Sequence, residues 1–440
     1  MHVDIVVLSD APKALDPGVR VVVGLPSRNP WSLPFAHKKV FADHCGQYDL
    51  FVYSEDDIGV SEDQIHAFLD ATAQLQSDEI AGFLRYELDS SGHRVLTEVW
   101  GRHHWDPKSV RRRGDYTVAE FTNEHAGFYI LTQQQLARAI ASGGFLRGPC
   151  TGKYAMPETA ATDPYTNCGF RKVVCISALE KFLVHHMPNK YANVLIVPLG
   201  SFEAQIQSLM AIRLGTHPAA TLWGEVSPNG HSRWAKSYYE TPVLEELELM
   251  PAHARNILSI GCGWGAAEVE LMRRGASVTA LPLDSVIGAI AARRGIEVVQ
   301  GELEECLQIL RGRVFDGLYI SNLLHLQRDP RQLLAKCLPL VGPGGSLVLS
   351  GPNFERLLWR IQRVLGRGDF GKLRSFDSSG VTRCGPGSLA RPLKQAGAAI
   401  ERVQWLEHQM ERRLFGGNVP SLGRFTAKKW ALLARAQSAN

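Results

Sequence analysis

The sequence predicts an α/β protein with two domains, the second built on a doubly wound parallel sheet. An apolar stretch from Ile257 to Ile260 runs directly into three glycines at alternate positions, Gly261, Gly263 and Gly265. Strand and helix patterns then alternate over about 45 residues, which is typical of a parallel sheet covered by helices. At 440 residues the chain is also too long for one ordinary hydrophobic core.

The N-terminal part of the chain begins with short apolar segments. Val3 to Leu8, Val19 to Val23 and Tyr48 to Tyr53 are predicted as strands. Phe35 to Cys45 and Gln133 to Ala141 are predicted as helices, the second capped by Thr132. The third strand ends in the acidic run Ser54-Glu55-Asp56-Asp57. Carboxylates concentrated at the end of a buried strand favour a cation that neutralises them. A solvated acidic turn, with Asp57 capping a helix, is the alternative interpretation.

Residues 48–58, Y-D-L-F-V-Y-S-E-D-D-I, resemble the metal-binding acidic motif of GT-A glycosyltransferases. In that family an apolar strand presents two acidic residues to a divalent ion that holds a sugar-nucleotide pyrophosphate. The resemblance covers about residues 1–195 and implies a nucleotide-sugar donor and a glycan or other small-molecule acceptor. Very little chain precedes Glu55, so the domain is expected to lack the family's usual start. The metal ligands that the resemblance implies, for Mn²⁺ or Mg²⁺, are Glu55, Asp57, His185 and His186.

An inverting transferase needs a carboxylate that takes the proton of the acceptor hydroxyl. Glu124, just before the predicted strand Ala126 to Leu131, is one candidate. Asp163, in the polar and aromatic segment 159–172, is the other. Glu124 could equally pair with a nearby arginine, and an aspartate before Pro164 is a common turn arrangement.

The glycine turn of the second domain is by itself compatible with two kinds of nucleotide site. Gly261, Gly263 and Ala266 also satisfy the spacing G-x-G-x-x-A of dinucleotide-binding proteins. Four segments in order resemble the motifs of class I S-adenosylmethionine-dependent methyltransferases over about residues 240–437. They are I-G-C-G-W-G at 260–265, Q-G-E-L-E-E at 300–305, F-D-G-L-Y-I-S-N-L-L-H-L at 315–326 and G-P-G-G-S-L-V-L-S at 342–350.

This second resemblance implies a cofactor site for S-adenosylmethionine. The family usually ends its second strand with an acidic residue that binds the ribose hydroxyls, but Pro282 stands at that place, and Asp284 is expected to replace it. Glu302 matches the position that contacts the adenine amino group. His325 is the expected general base, with a packing or capping histidine as the alternative. The implied cofactor-binding residues are Gly261, Cys262, Gly263, Trp264, Gly265, Asp284, Glu302 and Asn322.

The resemblance also predicts several elements around that core. Residues 196–235 are interpreted as a linker between domains 1–195 and 236–440, and W-A-K-S-Y-Y-E-T-P at 234–242 resembles the helix that leads into many methyltransferase cores. Ala398 to Leu406 and Thr426 to Ala434 are expected to form the closing antiparallel strands.

Composition excludes several classes of function. A formal charge of +4, with no basic run longer than Arg111 to Arg113, does not favour nucleic-acid binding. The eight cysteines form no C-x-x-C pair, so neither a zinc site nor a disulfide framework is indicated and a reducing cytoplasm is expected. No apolar run has the length of a membrane span, so any membrane contact is expected to be peripheral.

These patterns together predict a GT-A-like nucleotide-sugar domain followed by a Rossmann-like methyltransferase domain. The expected activity is glycosyl transfer and O-methylation on a glycan or glycolipid, since fusion places a new sugar near the methyl donor. Two alternatives remain open. One is a methyltransferase with an inactive, carbohydrate-binding N-terminal domain, and the other is an NAD(P)-binding oxidoreductase.

Overall fold

The computed structural model describes residues 2–192, 197–223, 234–371, 373, 375–407 and 423–437. The chain divides into two compact units, Met1–Leu214 and Gly215–Asn440. The first unit takes in the helix Leu199–Arg213, which lies inside the predicted linker, and the ring centroid of Phe202 on that helix is 5.8 Å from that of Trp105. Residues 224–233 of the predicted linker lie outside the described residues.

The N-terminal unit mixes short strands with five α-helices among its described residues. Its strands are β1 Ile5–Ser9, β2 Val19–Val23, β3 Leu50–Ser54, β4 Ile58–Gly59, β5 Glu79–Ala81, β6 Leu84–Leu88, β7 Arg94–Leu96, β8 Arg111–Arg113, β9 Tyr116–Ala119, β10 Phe128–Thr132, β11 Arg171–Cys175, β12 Leu183–His186 and β13 Val197–Pro198. Its helices are α1 Ala36–Asp43, α2 Glu62–Thr72, α3 Gln133–Ala141, α4 Met156–Thr166 and α5 Leu199–Arg213.

The described strands of this unit form four separate sheets. The first two strands pair only with each other, in parallel, and β3 pairs antiparallel with β10. A four-stranded sheet has the order β5-β11-β9-β8, and a five-stranded sheet has the order β13-β7-β6-β12-β4. The predicted helix at 133–141 is confirmed, and Thr132 accepts a hydrogen bond from the Gln135 amide at 3.2 Å as its N-cap. The polar side chains described below lie in or next to four of these strands, β3, β4, β6 and β12.

The C-terminal unit contains a seven-stranded sheet. Its strands are β14 Asn256–Cys262, β15 Ser277–Pro282, β16 Glu297–Val298, β17 Phe315–Ile320, β18 Val341–Pro352, β19 Ala398–Leu406 and β20 Lys429–Ala436. Its helices are α6 Leu244–Leu247, α7 Ala266–Arg273, α8 Ser285–Arg293, α9 Leu303–Ile309, α10 Pro330–Cys337, α11 Leu357–Val364, α12 Gly368–Gly371, α13 Phe376–Ser379, α14 Pro386–Gln395 and α15 Gly423–Thr426.

The strand order of this sheet is β16-β15-β14-β17-β18-β20-β19. All pairings are parallel except those of β20, which runs antiparallel to both of its neighbours. The order reverses between β14 and β17, and ligands of open α/β sheets bind at such a reversal, beyond the carboxyl ends of the strands. The predicted doubly wound sheet and its closing antiparallel strands are therefore confirmed.

One predicted element of this unit is wrong. Residues 234–242 form turns and extended chain instead of the expected lead-in helix. The physical reason is that main-chain oxygens of this segment bind the glycine turn, as described below, and an α-helix would use those oxygens internally.

Within the described ranges, no helix has both the length and the apolar character needed to cross a bilayer.

Candidate functional site

The glycine turn lies at the carboxyl end of β14, beside the reversal of strand order. Gly261 has φ +77° and Gly265 has φ +85°, a left-handed backbone that favours glycine. A Cβ on Gly263 would lie 2.3 Å from the main-chain oxygen of Tyr238. The close approach that excludes a side chain at Gly263 is therefore made by the protein's own backbone.

Residues 234–240, which we call the covering segment, lie across this turn. The Trp264 amide donates to the Tyr238 carbonyl at 2.9 Å, and the Trp264 indole donates to the Glu240 carbonyl at 2.7 Å. Lys236, which is buried, donates to the Ser321 carbonyl at 2.9 Å. The covering segment therefore joins the loop after β14 to the loop after β17.

His325 lies under the same segment and is 1% exposed. Its Nε2 is 2.6 Å from the Trp234 carbonyl oxygen, which can only accept, so Nε2 carries the proton. Burial lowers the pKa of His325 to about 4, so the ring is neutral at pH 7. Its Nδ1 is then a buried acceptor, and it has no hydrogen-bond partner among the described residues.

On the ribose side of the predicted cofactor site, the polar groups are bonded to other parts of the protein. Asp284 is 2% exposed, and its Oδ1 accepts from the amides of Val286 and Ile287 at 2.8 Å, so it caps α8. The Leu222 amide donates to the Leu283 carbonyl at 2.9 Å, and the Leu303 amide donates to the Leu222 carbonyl at 3.0 Å. The structure therefore gives Asp284 a helix-capping position and places Leu222 between the loops that follow β15 and β16.

The remaining predicted cofactor residues occupy three different environments. Cys262 is buried, and burial raises the pKa of its thiol. Asn322 has φ +50°, and its amide donates to the Ser350 carbonyl at 3.2 Å. Glu302 is exposed and caps α9. Of these three side chains, only that of Glu302 is exposed, and Glu302 follows the carboxyl end of β16.

In the N-terminal unit, the structure separates the four predicted metal ligands. His185 and His186 are consecutive in β12, so their side chains point to opposite faces of the sheet. His186 contacts Asp57, with Nε2 and Oδ2 3.0 Å apart, whereas His185 Nε2 lies 3.1 Å from Asn189 Oδ1. Glu55 is directed elsewhere, with Oε1 3.6 Å from the Nε2 of His125.

His186 therefore lies between two carboxylates. Its Nδ1 is hydrogen-bonded to Glu87, which is fully buried, and its Nε2 faces Asp57. The second oxygen of Asp57, Oδ1, is buried without a partner among the described residues. No cluster of three or more potential metal ligands occurs in the described ranges, so the predicted four-residue metal site is not formed.

A second buried charge cluster surrounds His125. The ring lies between Glu55 and Glu98, with its Nδ1 3.7 Å from Glu98 Oε2. Burial opposes protonation of His125, but the two carboxylates outweigh it and raise the pKa to about 9. Burial also opposes ionisation of Glu98, but Arg85 and His125 lower its pKa to about 2. Glu55 is therefore held by an imidazolium.

The two predicted catalytic carboxylates of this unit differ in accessibility. Glu124 is partly exposed, accepts from Lys153 at 2.7 Å and from the Tyr154 hydroxyl at 2.5 Å, and so pairs with a lysine and a tyrosine. Asp163 is fully buried inside α4, where it forms an ion pair with Lys38. The predicted loop location of Asp163 is wrong, because the residue lies within α4, where it is buried and binds Lys38. Glu124 is therefore the accessible one of the two candidates.

Sequence reasoning missed Glu87, Glu98 and the covering segment as contributors to these sites. Glu87 lies in β6, where Arg85 and Glu87 alternate with Leu84, Tyr86 and Leu88. Such alternation is typical of a strand with one solvated face, so the sequence pattern does not reveal that Glu87 is buried. No signal in the sequence marks the covering segment either.

Comparisons with known proteins concern the C-terminal unit. Residues 258–349 match the family model described as a methyltransferase domain. The ubiquinone biosynthesis O-methyltransferase of Xanthomonas axonopodis pv. citri is 34% identical over 110 residues, covering 24% of this chain and 46% of that protein. The protein of the same description from Xylella fastidiosa is 29% identical over 173 residues, covering 36% of this chain and 67% of that protein.

The chain spans about half the length of most of the curated relatives that it matches. Among solved structures, a SAM dependent methyltransferase from Archaeoglobus fulgidus covers 44% of this chain and 93% of its own, with 18% identity and a TM-score of 0.33. The matched residues run from β14 to β18 and include the glycine turn and His325. The C-terminal unit therefore contains a methyltransferase domain, built on a Rossmann-like α/β sheet of the class I type.

Proposed function

We propose that the C-terminal unit is an S-adenosylmethionine-dependent O-methyltransferase in which His325 is the general base. The observation that carries this proposal is the buried, neutral His325, whose Nδ1 lacks a partner among the described residues. A hydroxyl acceptor needs such a base, and the unprotonated Nδ1 can take its proton.

The donor set fits S-adenosylmethionine at one end of the crevice. The glycine turn leads into α7 at the carboxyl edge of the sheet. Glu302 also caps a helix, α9, but unlike Asp284 its side chain is exposed and can accept from a base or hydroxyl group. Pro282 supplies no acceptor for the ribose, and Asp284 is occupied as a cap. When bound, the cofactor supplies a methyl group on a sulfonium, so the protein's own task is to align the acceptor and remove its proton.

The experiment for this proposal has a binding part and an activity part. Calorimetry with S-adenosylhomocysteine and, separately, with NAD distinguishes a methyltransferase from the oxidoreductase alternative. Heat from NAD alone would overturn the proposal. Transfer of labelled methyl groups from S-adenosylmethionine to a lipid and glycan extract then reports activity whichever molecule of the extract is the acceptor.

We further propose that the N-terminal unit is a metal-dependent glycosyltransferase. Its acceptor would be a glycan or glycolipid that the C-terminal unit also methylates. The support for this proposal is the acidic motif at 54–57 together with the arrangement of Asp57, His186 and Glu87. If Nδ1 of His186 donates to Glu87, its Nε2 and Asp57 are two acceptors 3.0 Å apart, which a shared proton or a cation stabilises.

A divalent ion would then be held by Asp57 and His186, with the diphosphate of a nucleotide sugar and water as further ligands. Glu124 is the accessible carboxylate for the acceptor proton, once Lys153 is displaced. Metal-dependent hydrolysis of nucleotide sugars by the whole chain, with Asp57→Ala as the comparison, separates this proposal from a binding module. Turnover that is absent with every sugar nucleotide would favour the binding module.

A further inference from the structure

Helix α11, Leu357–Val364, carries an apolar face that no other described part of the chain covers. The side chains at this face recur at the spacing of one helical stripe. They and their exposed fractions are Leu357 54%, Leu358 49%, Ile361 47%, Val364 86% and Leu365 61%. Five large apolar side chains on one stripe form a contiguous patch, and such patches mark contact surfaces.

The opposite face of α11 is anchored in the domain. Trp359 is 5% exposed, and its ring centroid lies 4.9 Å from that of Trp234 and 5.8 Å from that of Phe370. The helix is therefore packed through Trp359, and its other apolar stripe faces away from the domain. None of the described residues of the chain buries that stripe.

The charged residues in the segment that forms α11 and its ends all have one sign. Residues 356–367 contain four arginines and no aspartate or glutamate. Arg360, Arg363 and Arg367 are exposed, and none of them has a carboxylate partner among the described residues. The nearest preceding acid, Glu355, is paired with Arg424. A fifth arginine, Arg383, lies near Arg363. Burial and the charge of Arg363 together lower the pKa of Arg383.

We propose that α11 docks on an anionic phospholipid surface, with its apolar stripe between the headgroups and its arginines on the lipid phosphates. Guanidinium groups beside an exposed apolar helix face match both layers of such an interface at once. A protein groove would need an acidic rim of its own to match the arginines, whereas an anionic bilayer supplies the apolar layer and the anionic layer together.

The position of α11 connects this surface to the candidate base. Trp359 contacts Trp234, whose carbonyl oxygen binds His325. A chain docked through α11 holds His325 close to the lipid headgroups, so the methyl acceptor is a membrane-resident amphiphile. This last step rests on the proposed function, whereas docking itself does not.

The test is co-sedimentation of the full chain with vesicles of phosphatidylcholine alone and of phosphatidylcholine with phosphatidylglycerol. We expect binding to the anionic vesicles to exceed binding to the neutral ones by about tenfold, and to fall as salt is added. Ile361→Glu with Val364→Glu, and separately Arg360→Gln with Arg363→Gln, should each reduce the anionic binding by about tenfold or more.

The matched control is Ile309→Glu with Val314→Glu. These residues are 62% and 61% exposed. Val314 directly precedes the amino end of β17, whereas α11 follows the carboxyl end of β18. This control should bind vesicles as the unmodified chain does, and circular dichroism should show that every variant is folded. Equal binding by the α11 variants and the unmodified chain would overturn the proposal.

Light scattering tests whether a second copy of the chain covers the stripe instead of a membrane. The proposal would also be overturned if the chain did not bind vesicles but dimerised through α11. In that case the unmodified chain would be a dimer and the variant Ile361→Glu with Val364→Glu a monomer. Vesicle binding with no binding of S-adenosylhomocysteine would support docking while removing the proposed function, so the two failures are distinguishable.

Discussion

The Nε2 of His325 lies 2.6 Å from the main-chain oxygen of Trp234, 91 positions earlier in the chain. This hydrogen bond sets the tautomer of the ring and leaves Nδ1 as the acceptor. The candidate base of the methyltransferase domain is therefore positioned by the covering segment and not by the matched domain sequence.

The first prediction is that His325→Gln reduces methyl transfer by about a hundredfold or more, because the acceptor loses its base. Calorimetric affinity for S-adenosylhomocysteine should remain within about threefold, since His325 is not expected to contact the cofactor. A variant that loses affinity and turnover equally would show instead that His325 supports the fold of the cofactor site.

The second prediction concerns acid stability of the C-terminal unit. The pKa of His325 is about 4 when folded, against 6.5 for the ordinary residue, so the unfolded chain binds more protons between these values. His325 therefore removes stability as the pH falls from 6.5 to 4, by about 3 kcal/mol in total. Urea unfolding followed by tryptophan fluorescence should show a smaller loss over this range in His325→Gln.

The third prediction concerns the buried pair of Lys38 and Asp163. Asp163→Asn leaves the ammonium of Lys38 uncompensated, and we expect a loss of about 3–5 kcal/mol in the unfolding free energy of the N-terminal unit. Replacing both residues together, Lys38→Met with Asp163→Leu, should recover much of that stability. If Asp163→Asn abolished sugar-nucleotide turnover with unchanged stability, the structural role would be wrong.

The fourth prediction separates the two adjacent histidines. We expect Mn²⁺ binding, measured by titration of free Mn²⁺ in electron paramagnetic resonance, to disappear in His186→Gln and to persist in His185→Gln. Glu87→Gln should weaken the affinity by about 10–100-fold, because Glu87 orients His186 without touching the ion. Equal affinities for the two histidine variants would remove the metal from the Asp57 site.

The fifth prediction uses the departure at Pro282. Pro282→Asp places a carboxylate at the end of β15, and we expect it to raise the affinity for S-adenosylhomocysteine by about tenfold through hydrogen bonds to the ribose. Pro282→Ala is the matched control and should leave the affinity unchanged. Lower affinity in Pro282→Asp would indicate that Leu222 and its neighbours already fill the ribose position.

Much of the C-terminal fold could be predicted from local patterns. The apolar run before Gly261, the alternation of strands and helices, and the closing strands at 398–406 and near 429–436 were all correctly predicted. These features are encoded locally, because strand pleat and helix periodicity depend on residues two to four positions apart.

In the N-terminal unit, helix α3 and its cap were predicted for the same reason. Of the partners predicted for the acidic run at 54–57, His186 does contact Asp57. The contacts of His186 with Glu87 and of Glu55 with His125 were not predicted. The two histidines looked equivalent in sequence, yet the strand pleat sends only His186 to Asp57.

By itself, then, the sequence determined the two-part organisation, the doubly wound sheet and the glycine turn. Only the tertiary structure decided that Asp163 neutralises Lys38 across 125 positions, that Glu87 orients His186, and that the covering segment closes over Gly263 and binds His325. The reason is that backbone geometry follows from neighbouring residues. The charge and protonation of a buried side chain depend on partners that folding brings from distant parts of the chain.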